Sequence, residues 1–223
     1  MTRIELVIFD IGGTAIRDTA NVGAVFSSIL KQYSIVVSDE ELTAHRGSSK
    51  RRVIEELVSR RNKSGIDPAG VYHSFQQELL HAFAENGIQA ISGIEESFRT
   101  LRNRGIKTAL TTGFDRHVTE EILNRLGWNE LVDCVVTGDD VENGRPAPDL
   151  ILHAMRQTGT ADPAAVVVVG DTVNDLKAAA AACTGAAIGV LSGAHNRKQL
   201  ESAPHTTILQ DATEVPQWLA DHS

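Results

Sequence analysis

From residue 91 onward, predicted helices and strands alternate along the chain, and this alternation limits the fold more than any other feature of the sequence. The helical patterns lie at residues 94–104, 116–126, 148–158 and 174–183, and the apolar stretches that follow them lie at 107–112, 132–136, 165–169 and 186–190. Such alternation predicts a parallel sheet with helices on both faces. Residues 166–169 are four consecutive valines, which is typical of a central strand buried on both faces.

A separate strand is predicted at residues 4–10, before this series begins. Between this strand and residue 91 the sequence has only helical patterns. Four such patterns start near Asn21, near Ser38, at Ser48 or Ser49, and near Asp67. Ser38, followed three residues later by Glu41, predicts a capped helix start. We therefore predict an α/β fold, a doubly wound parallel sheet with an inserted all-helical cap domain. Residues 1–15 and 91–223 would form the sheet domain, and residues 16–90 would form the cap, either a mobile lid or a fixed subdomain.

Composition narrows the classes of function. The 223 residues are 42% hydrophobic, enough for a sizeable core, and contain no apolar run long enough for a membrane span. The first residues lack the shape of a signal peptide, and the two cysteines lie far apart, which together predict a cytoplasmic protein. A net charge of −8 without a long basic run argues against nucleic acid as a partner. Pairing of two copies through the helical insert is compatible with the sequence.

Polar residues follow the strands in a regular order. Asp10 ends the first strand, Thr111-Thr112-Gly113 ends the second, Gly144-Arg145-Pro146 precedes a helix, and Gly170-Asp171 ends the valine strand. Each of these alone is typical of an ordinary turn. Because parallel strands end at one edge of a sheet, all four groups can converge there. The order therefore predicts a ligand site at that edge, where Gly12 and Gly13 let the backbone approach a ligand closely.

With these motifs in this order, and a helical insert after the first strand, the sequence resembles the haloacid dehalogenase superfamily of phosphotransferases over nearly its whole length. The resemblance implies a small phosphorylated or phosphonate substrate and Mg²⁺ as cofactor. It also implies that Asp10 is the nucleophile and a metal ligand, and that Asp171 and the Gly12 carbonyl are further metal ligands. Asp175 would support the metal directly or indirectly. The residues implied to bind the phosphoryl group are Gly12, Gly13, Thr112, Gly113 and Arg145.

The chemistry of these residue types agrees with the implied roles. A carboxylate can attack phosphorus and form an aspartyl-phosphate, which divides one difficult step into two. Because nucleophile and substrate are both anions, a divalent cation and a side-chain cation must offset their repulsion. Magnesium suits a ligand set of a few carboxylates, carbonyl oxygens and waters.

Two departures from the superfamily's common pattern separate this chain from ordinary phosphatases. Gly12 stands where most members have a second Asp that acts as general acid and base, and Arg145 stands where most have Lys. Loss of a general acid typically costs two to four orders of magnitude in rate. Both departures are similar to the phosphonoacetaldehyde hydrolase (phosphonatase) branch, whose mechanism uses a cap lysine that forms a Schiff base. Lys50 stands at the matching place.

Lys50 has a setting that favours the neutral amine required for attack on a carbonyl. Arg46, Arg51 and Arg52 are like charges nearby, and the first turn of a helix is the positive end of its dipole. Lys50 could instead be a surface lysine, or a point charge for an anionic group. Arg46 departs from the branch's usual Met, so it could recognise a second anion.

Three functions follow from these observations. The first is Mg²⁺-dependent hydrolysis of a small phosphonate through Asp10, with a Lys50 imine. The second is hydrolysis of a small phosphate ester without the imine. The third is a non-catalytic protein that binds a phosphorylated ligand, with Gly12 marking lost activity.

Overall fold

The computed structural model describes residues 3–61 and 65–222. Its centre is a six-stranded sheet in which every neighbouring pair of strands is parallel, in the order β3-β2-β1-β4-β5-β6. The strands are β1 (Leu6–Asp10), β2 (Lys107–Thr111), β3 (Cys134–Val136), β4 (Val166–Gly170), β5 (Ala186–Val190) and β6 (Thr207–Leu209). All residues of β1 and β4 are buried, which confirms the expectation for central parallel strands.

The helices agree closely with the predicted patterns. They are α1 (Val22–Gln32), α2 (Asp39–Ala44), α3 (Lys50–Arg60), α4 (Pro68–Asn86), α5 (Ile94–Asn103), α6 (Arg116–Leu126), α7 (Asp149–Thr158), α8 (Val173–Ala181), α9 (Arg197–Leu200) and α10 (Val215–Asp221). Ser38 and Glu41 form the predicted capping box at the start of α2. None of the helices in the described residues is both long and apolar enough to cross a membrane.

Helices α1 to α4, which we call the helical lobe, are joined to the sheet by two linkers that lie side by side. The Arg17 amide donates to the Gln89 carbonyl at 2.8 Å, and the Ile91 amide donates to the Ala15 carbonyl at 2.9 Å. The chain therefore leaves and re-enters the sheet at one place, beside the end of β1. The predicted domain boundaries fall in these linkers, and the division into two domains stays a prediction.

Apolar side chains join the lobe to the sheet. Phe26 and Phe75 meet edge to face inside the lobe, with ring centroids 5.5 Å apart. Phe83 of α4 meets Phe114, which follows β2, in the same way at 6.5 Å. One hydrophobic cluster therefore runs from the lobe to the face of the sheet that carries Phe9. This contact holds the lobe over the carboxyl edge of the sheet.

Candidate active site

A pocket of about 490 Å³ lies between the carboxyl edge of the sheet and the lobe. Every predicted site residue except Asp175 lines it. The sheet side contributes Asp10, Gly12, Gly13, Thr112, Gly113, Arg145 and Asp171, and the lobe contributes Arg46 and Lys50. The convergence follows from the topology, because β1, β2 and β4 are neighbours that end at one edge.

Arg145 holds two carboxylates together beneath the pocket. Its Nη1 lies 2.5 Å from Asp10 Oδ1 and 2.8 Å from Asp175 Oδ1, and all three side chains are almost fully buried. Its Nη2 donates to Thr111 Oγ1 at 2.8 Å. Burial alone would lower the pKa of Arg145, but the charges of Asp175 and Asp10 outweigh it and raise that pKa. The guanidinium is therefore a permanent cation in a fixed position.

Asp175 is bound from two sides and lies behind Arg145. Its Oδ2 accepts hydrogen bonds from the Thr172 amide at 3.0 Å and from Thr172 Oγ1 at 2.5 Å, which closes a capping box at the start of α8. Its Oδ1 faces Arg145. In this arrangement Asp175 orients Arg145, and it influences the pocket through Arg145 without lining the pocket itself.

Burial raises the pKa values of both Asp10 and Asp171. Burial raises the pKa of Asp10 to about 7, with Arg145 opposing and Asp175 adding to the rise. Burial and the neighbouring charge of Asp10 raise the pKa of Asp171 well above its usual range. Three carboxylates and one guanidinium thus share a small buried volume. A further cation in the pocket would stabilise the ionised carboxylates.

The backbone packs tightly around Asp171. Its Oδ2 accepts from the Ala194 amide at 2.6 Å, and Thr14 Oγ1 donates to Oδ1 at 3.4 Å. Gly13 has φ +84°, and a Cβ on it would lie 2.4 Å from Asp171 Oδ2. A Cβ on Gly193 would lie 2.0 Å from the same oxygen. Only glycine fits at these two positions, because a Cβ at either one would overlap the Asp171 carboxylate.

The donor set fits Mg²⁺ better than a cation that needs a full protein cage. The described residues contain no cluster of three or more His, Cys, Asp or Glu arranged to hold a metal. The pocket instead offers two buried carboxylates, Asp10 and Asp171, and the Gly12 backbone also lines it. Mg²⁺ is usually held by one or two carboxylates together with waters and substrate phosphate oxygens. The residues present therefore fit this ion.

Gly12 faces an aromatic ring. A Cβ on Gly12 would meet the Phe114 ring at 3.7 Å, which is ordinary contact. On the same side of the pocket, Thr112 Oγ1 accepts from the Phe114 amide at 3.1 Å, so the motif residue also fixes the ring's backbone. The place where a general acid would stand is thus lined by glycine and phenylalanine.

Lys50 is half-buried at the start of α3 and lines the same pocket as Asp10. Its Nζ donates to the carbonyls of His45 at 3.0 Å and Ser48 at 3.2 Å, and lies 5.4 Å from the centre of the Phe26 ring. Burial, followed by the charge of Arg46, lowers the pKa of Lys50 to about 8.

This setting corrects part of the sequence-based explanation for Lys50. Arg51 points away, because its guanidinium stacks on Tyr72 at 4.5 Å and pairs with Asp139 at 3.6 Å. Arg52 donates to the Val141 carbonyl. Of the three arginines considered, Arg46 lowers the pKa of Lys50, and burial contributes more than any neighbouring charge.

Sequence reasoning missed the residues that connect the lobe to the sheet edge. Asn174 Nδ2 donates to the Arg46 carbonyl at 2.7 Å and to the Ala44 carbonyl at 3.0 Å, so α8 holds the segment that presents Arg46 and Lys50. Residues 192–194, which follow β5, also line the pocket. The rule that sites gather at strand ends could have found this loop.

Comparison with known proteins agrees with the fold and identifies the family. Residues 7–188 match the family of haloacid dehalogenase-like hydrolases. A phosphonoacetaldehyde hydrolase from Bacillus cereus is 30% identical over 193 residues, covering 78% of this chain and 71% of that protein.

Two solved structures have the same fold as this chain. A hydrolase from Pseudomonas syringae has a TM-score of 0.81 at 23% identity, covering 97% of this chain and 98% of that one. A phosphonoacetaldehyde hydrolase-like protein from Oleispira antarctica has a TM-score of 0.81 at 20% identity, covering 98% and 92%. With the pocket at the carboxyl edge of a parallel sheet and the match over residues 7–188, the chain belongs to the haloacid dehalogenase-like hydrolase family.

Proposed function

We propose that this protein is a Mg²⁺-dependent hydrolase of a small phosphonate. Like phosphonoacetaldehyde, this substrate has its carbonyl carbon bonded directly to the carbon that bears the phosphono group. The observation that carries the proposal is the position of Lys50. This amine, with a pKa lowered to about 8, lines the same pocket as Asp10 and comes from the helical lobe, whereas Asp10 ends a strand of the sheet. A carbonyl could meet Lys50 while phosphorus meets Asp10.

The first step is imine formation at Lys50. The neutral amine adds to the carbonyl carbon, the carbonyl oxygen takes one proton from the amine and one from solvent and leaves as water, and a protonated imine remains. A pKa of about 8 leaves roughly one lysine in ten neutral at pH 7, against fewer than about one in a thousand at the usual value. The lowered pKa of Lys50 therefore raises the fraction of neutral, reactive amine by more than about a hundredfold.

The second step breaks the carbon–phosphorus bond. A carboxylate oxygen of Asp10 attacks phosphorus, and the electron pair of the broken bond moves through the adjacent carbon into the protonated imine, which becomes an enamine. No leaving oxygen needs a proton, so Gly12 in place of a general acid costs nothing in this step. Arg145 and Thr112 hold the phosphono oxygens. Bound at Asp10 and Asp171, Mg²⁺ would offset the repulsion between nucleophile and substrate.

The remaining steps restore both side chains. The enamine carbon takes a proton from water, and a second water hydrolyses the imine, which frees Lys50 and the carbonyl product. Water attacks the phosphorus of the aspartyl-phosphate and releases phosphate and Asp10. In total, one water is consumed for each substrate cleaved.

Reductive trapping tests the imine. The protein is incubated with phosphonoacetaldehyde, Mg²⁺ and borohydride, digested, and analysed by peptide mass spectrometry. We expect an adduct on the peptide that contains Lys50, together with release of phosphate in the absence of borohydride. Lys50→Arg is the matched control, since it keeps the charge and cannot form an imine. Asp10→Asn should still form the adduct but release no phosphate.

The other outcomes identify the alternative functions. Turnover of phosphate esters that depends on Asp10, without any adduct on Lys50, would replace the proposal with a phosphatase. Mg²⁺ binding without turnover across phosphates and phosphonates would replace it with a binding protein.

A further inference from the structure

Arg46 is a cation in the pocket that the reaction above does not use. It is exposed, it belongs to the segment between α2 and α3, and it lines the pocket beside residues 192–194. Its Nη1 donates to the Ala194 carbonyl at 3.2 Å. No ion pair found within residues 3–61 and 65–222 includes it, whereas Arg145 is paired with two carboxylates. A guanidinium has five N–H donors, so most of this group's capacity is open to a ligand.

The backbone that carries Arg46 is fixed. Its carbonyl accepts from Asn174 Nδ2 at 2.7 Å. Gly47, the next residue, has φ +75° and packs so closely on Thr172 that a Cβ would lie 2.7 Å from Oγ1. The side chain therefore starts from a defined point at the pocket rim. Such preorganisation lowers the entropy lost when a ligand binds.

Arg46 also lies within electrostatic reach of the group that would meet the carbonyl. Its charge is the largest contribution after burial to the lowered pKa of Lys50. A carbonyl carbon bound near Lys50 would therefore lie within electrostatic reach of Arg46, and so would a charged substituent on that carbon.

The pocket has room for such a substituent. Its volume of about 490 Å³ falls in the range of pockets that enclose drug-sized ligands, which is about 300–1,000 Å³. A two-carbon phosphonate fills a small part of that space. The remaining wall includes the Arg46 guanidinium.

We infer that the substrate carries a carboxylate in addition to its phosphono group, and that Arg46 binds this carboxylate. The inference rests on the proposed function and names its substrate class: a phosphonate whose carbonyl carbon, or an atom near it, bears a carboxylate. Guanidinium and carboxylate are matched in shape and can form two parallel charge-assisted hydrogen bonds. Arg46 is then a specificity-determining residue at the pocket rim.

Binding of inert ligands tests this without any turnover. 3-Phosphonopropanoate and propylphosphonate have the same chain length and differ by a carboxylate in place of a methyl group. Their dissociation constants are measured by calorimetry with Mg²⁺ present. We expect the native protein to bind 3-phosphonopropanoate at least about tenfold more tightly. Arg46→Met should abolish the preference and lower the affinity for propylphosphonate much less than the affinity for 3-phosphonopropanoate.

Two control variants separate the charge of Arg46 from its general effects. Arg60→Met removes an exposed arginine of α3 that pairs with Glu56 and is not in the pocket lining, and it should keep the full preference. Arg46→Lys keeps the positive charge but lacks the planar guanidinium group, so it should retain part of the preference for 3-phosphonopropanoate.

The pocket also contains Asp18 and Asp39, so an amine-bearing phosphonate is the natural competitor. Tighter binding of 2-aminoethylphosphonate than of 3-phosphonopropanoate would overturn the inference. Equal affinity for the carboxylate and methyl ligands, failure of 3-phosphonopropanoate to bind, or a preference that persists in Arg46→Met would overturn it as well.

Turnover then separates this inference from the proposed function. 3-Phosphonopyruvate is phosphonoacetaldehyde with the aldehyde hydrogen replaced by a carboxylate, and it should release phosphate faster than phosphonoacetaldehyde does. Carboxylate preference in binding without release of phosphate from either compound would support the site at Arg46 and reject the proposed reaction. Release from phosphonoacetaldehyde without any carboxylate preference would do the reverse.

Discussion

Replacement of Lys50 by methionine should stabilise the folded protein while it abolishes imine chemistry. Burial lowers the pKa of Lys50 from 10.5 to about 8, so the folded state carries the charged amine at a cost. Each pKa unit is worth ~1.4 kcal/mol, which puts this cost at about 3 kcal/mol at pH 7. Methionine keeps the apolar stem beside Phe26 and loses the hydrogen bonds to two carbonyls, so we expect a net gain of about 2 kcal/mol in the free energy of unfolding.

The sign of the pH dependence identifies the cause of this gain. Because the pKa of Lys50 is lower in the folded state, the unfolded chain binds more protons between about pH 8 and 10.5, and the native protein gains stability as pH rises through that window. The Lys50→Met variant lacks this gain. The stability difference between the two proteins should therefore shrink by about 1 kcal/mol from pH 7 to pH 9.

Urea unfolding at pH 7, 8 and 9 measures this difference directly. Lys31→Met is the control, since Lys31 is exposed in the last turn of α1 and its replacement should shift stability by the same small amount at each pH. A Lys50→Met variant no more stable than the native protein would refute the reasoning. So would a stability gap that stays constant with pH, because the burial of a charge would then not be its source.

Three further substitutions test the packing around the carboxylates. Gly193→Ala places a Cβ 2.0 Å from Asp171 Oδ2 and should cost about 1–3 kcal/mol in urea unfolding. Gly12→Ala, whose new Cβ would make only ordinary contacts, should lower the free energy of unfolding by less than about 1 kcal/mol. Equal losses in Gly193→Ala and Gly12→Ala would contradict the close packing at Asp171. Arg145→Met leaves two buried carboxylates without their cation, so the free energy of unfolding should fall by about 3–5 kcal/mol at pH 7. The loss should be smaller at pH 5, where Asp10 takes up a proton. A loss that is the same at both pH values would contradict this.

The sheet was predictable because its signals are local and repeated. Val166 to Val169 are apolar on both faces of a strand, and helical patterns separate the strands, so order and direction follow from general rules for parallel sheets. Strand ends were less certain. β3 begins at Cys134 and not near residue 132, because only three of its residues pair with β2. α9 spans Arg197–Leu200, too short for any periodic pattern to reveal.

The site was predictable to the extent that it follows from topology. Asp10, Thr112 and Asp171 end neighbouring strands or follow them, and their convergence needs no knowledge of side-chain packing. The surroundings of Lys50 could not be read in this way. The arginines next to it in sequence diverge in space, and burial by Phe26 and the lobe depends on contacts between distant parts of the chain. The same holds for Asn174, whose partners lie more than a hundred residues away.

The buried charges also predict how metal and pH act together on stability. Burial raises the pKa of Asp10 from 3.8 to about 7, so without metal the folded chain binds more protons than the unfolded chain between these values. Stability should therefore fall as pH rises from about 4 to 7. Mg²⁺ binds the ionised carboxylates, so protons compete with it. The increase in melting temperature caused by Mg²⁺ should be small at pH 5.5 and large at pH 8.

Thermal unfolding with and without Mg²⁺ at the two pH values tests this linkage. Asp171→Asn removes one of the two buried carboxylates in the pocket lining and should abolish most of the Mg²⁺ effect at pH 8. Glu55→Gln is the control, since Glu55 is exposed on α3 and is not in the pocket lining, and it should leave the effect intact. A Mg²⁺ effect of equal size at both pH values would contradict the reasoning, because the carboxylates of Asp10 and Asp171 would then be ionised in the folded chain before metal arrives.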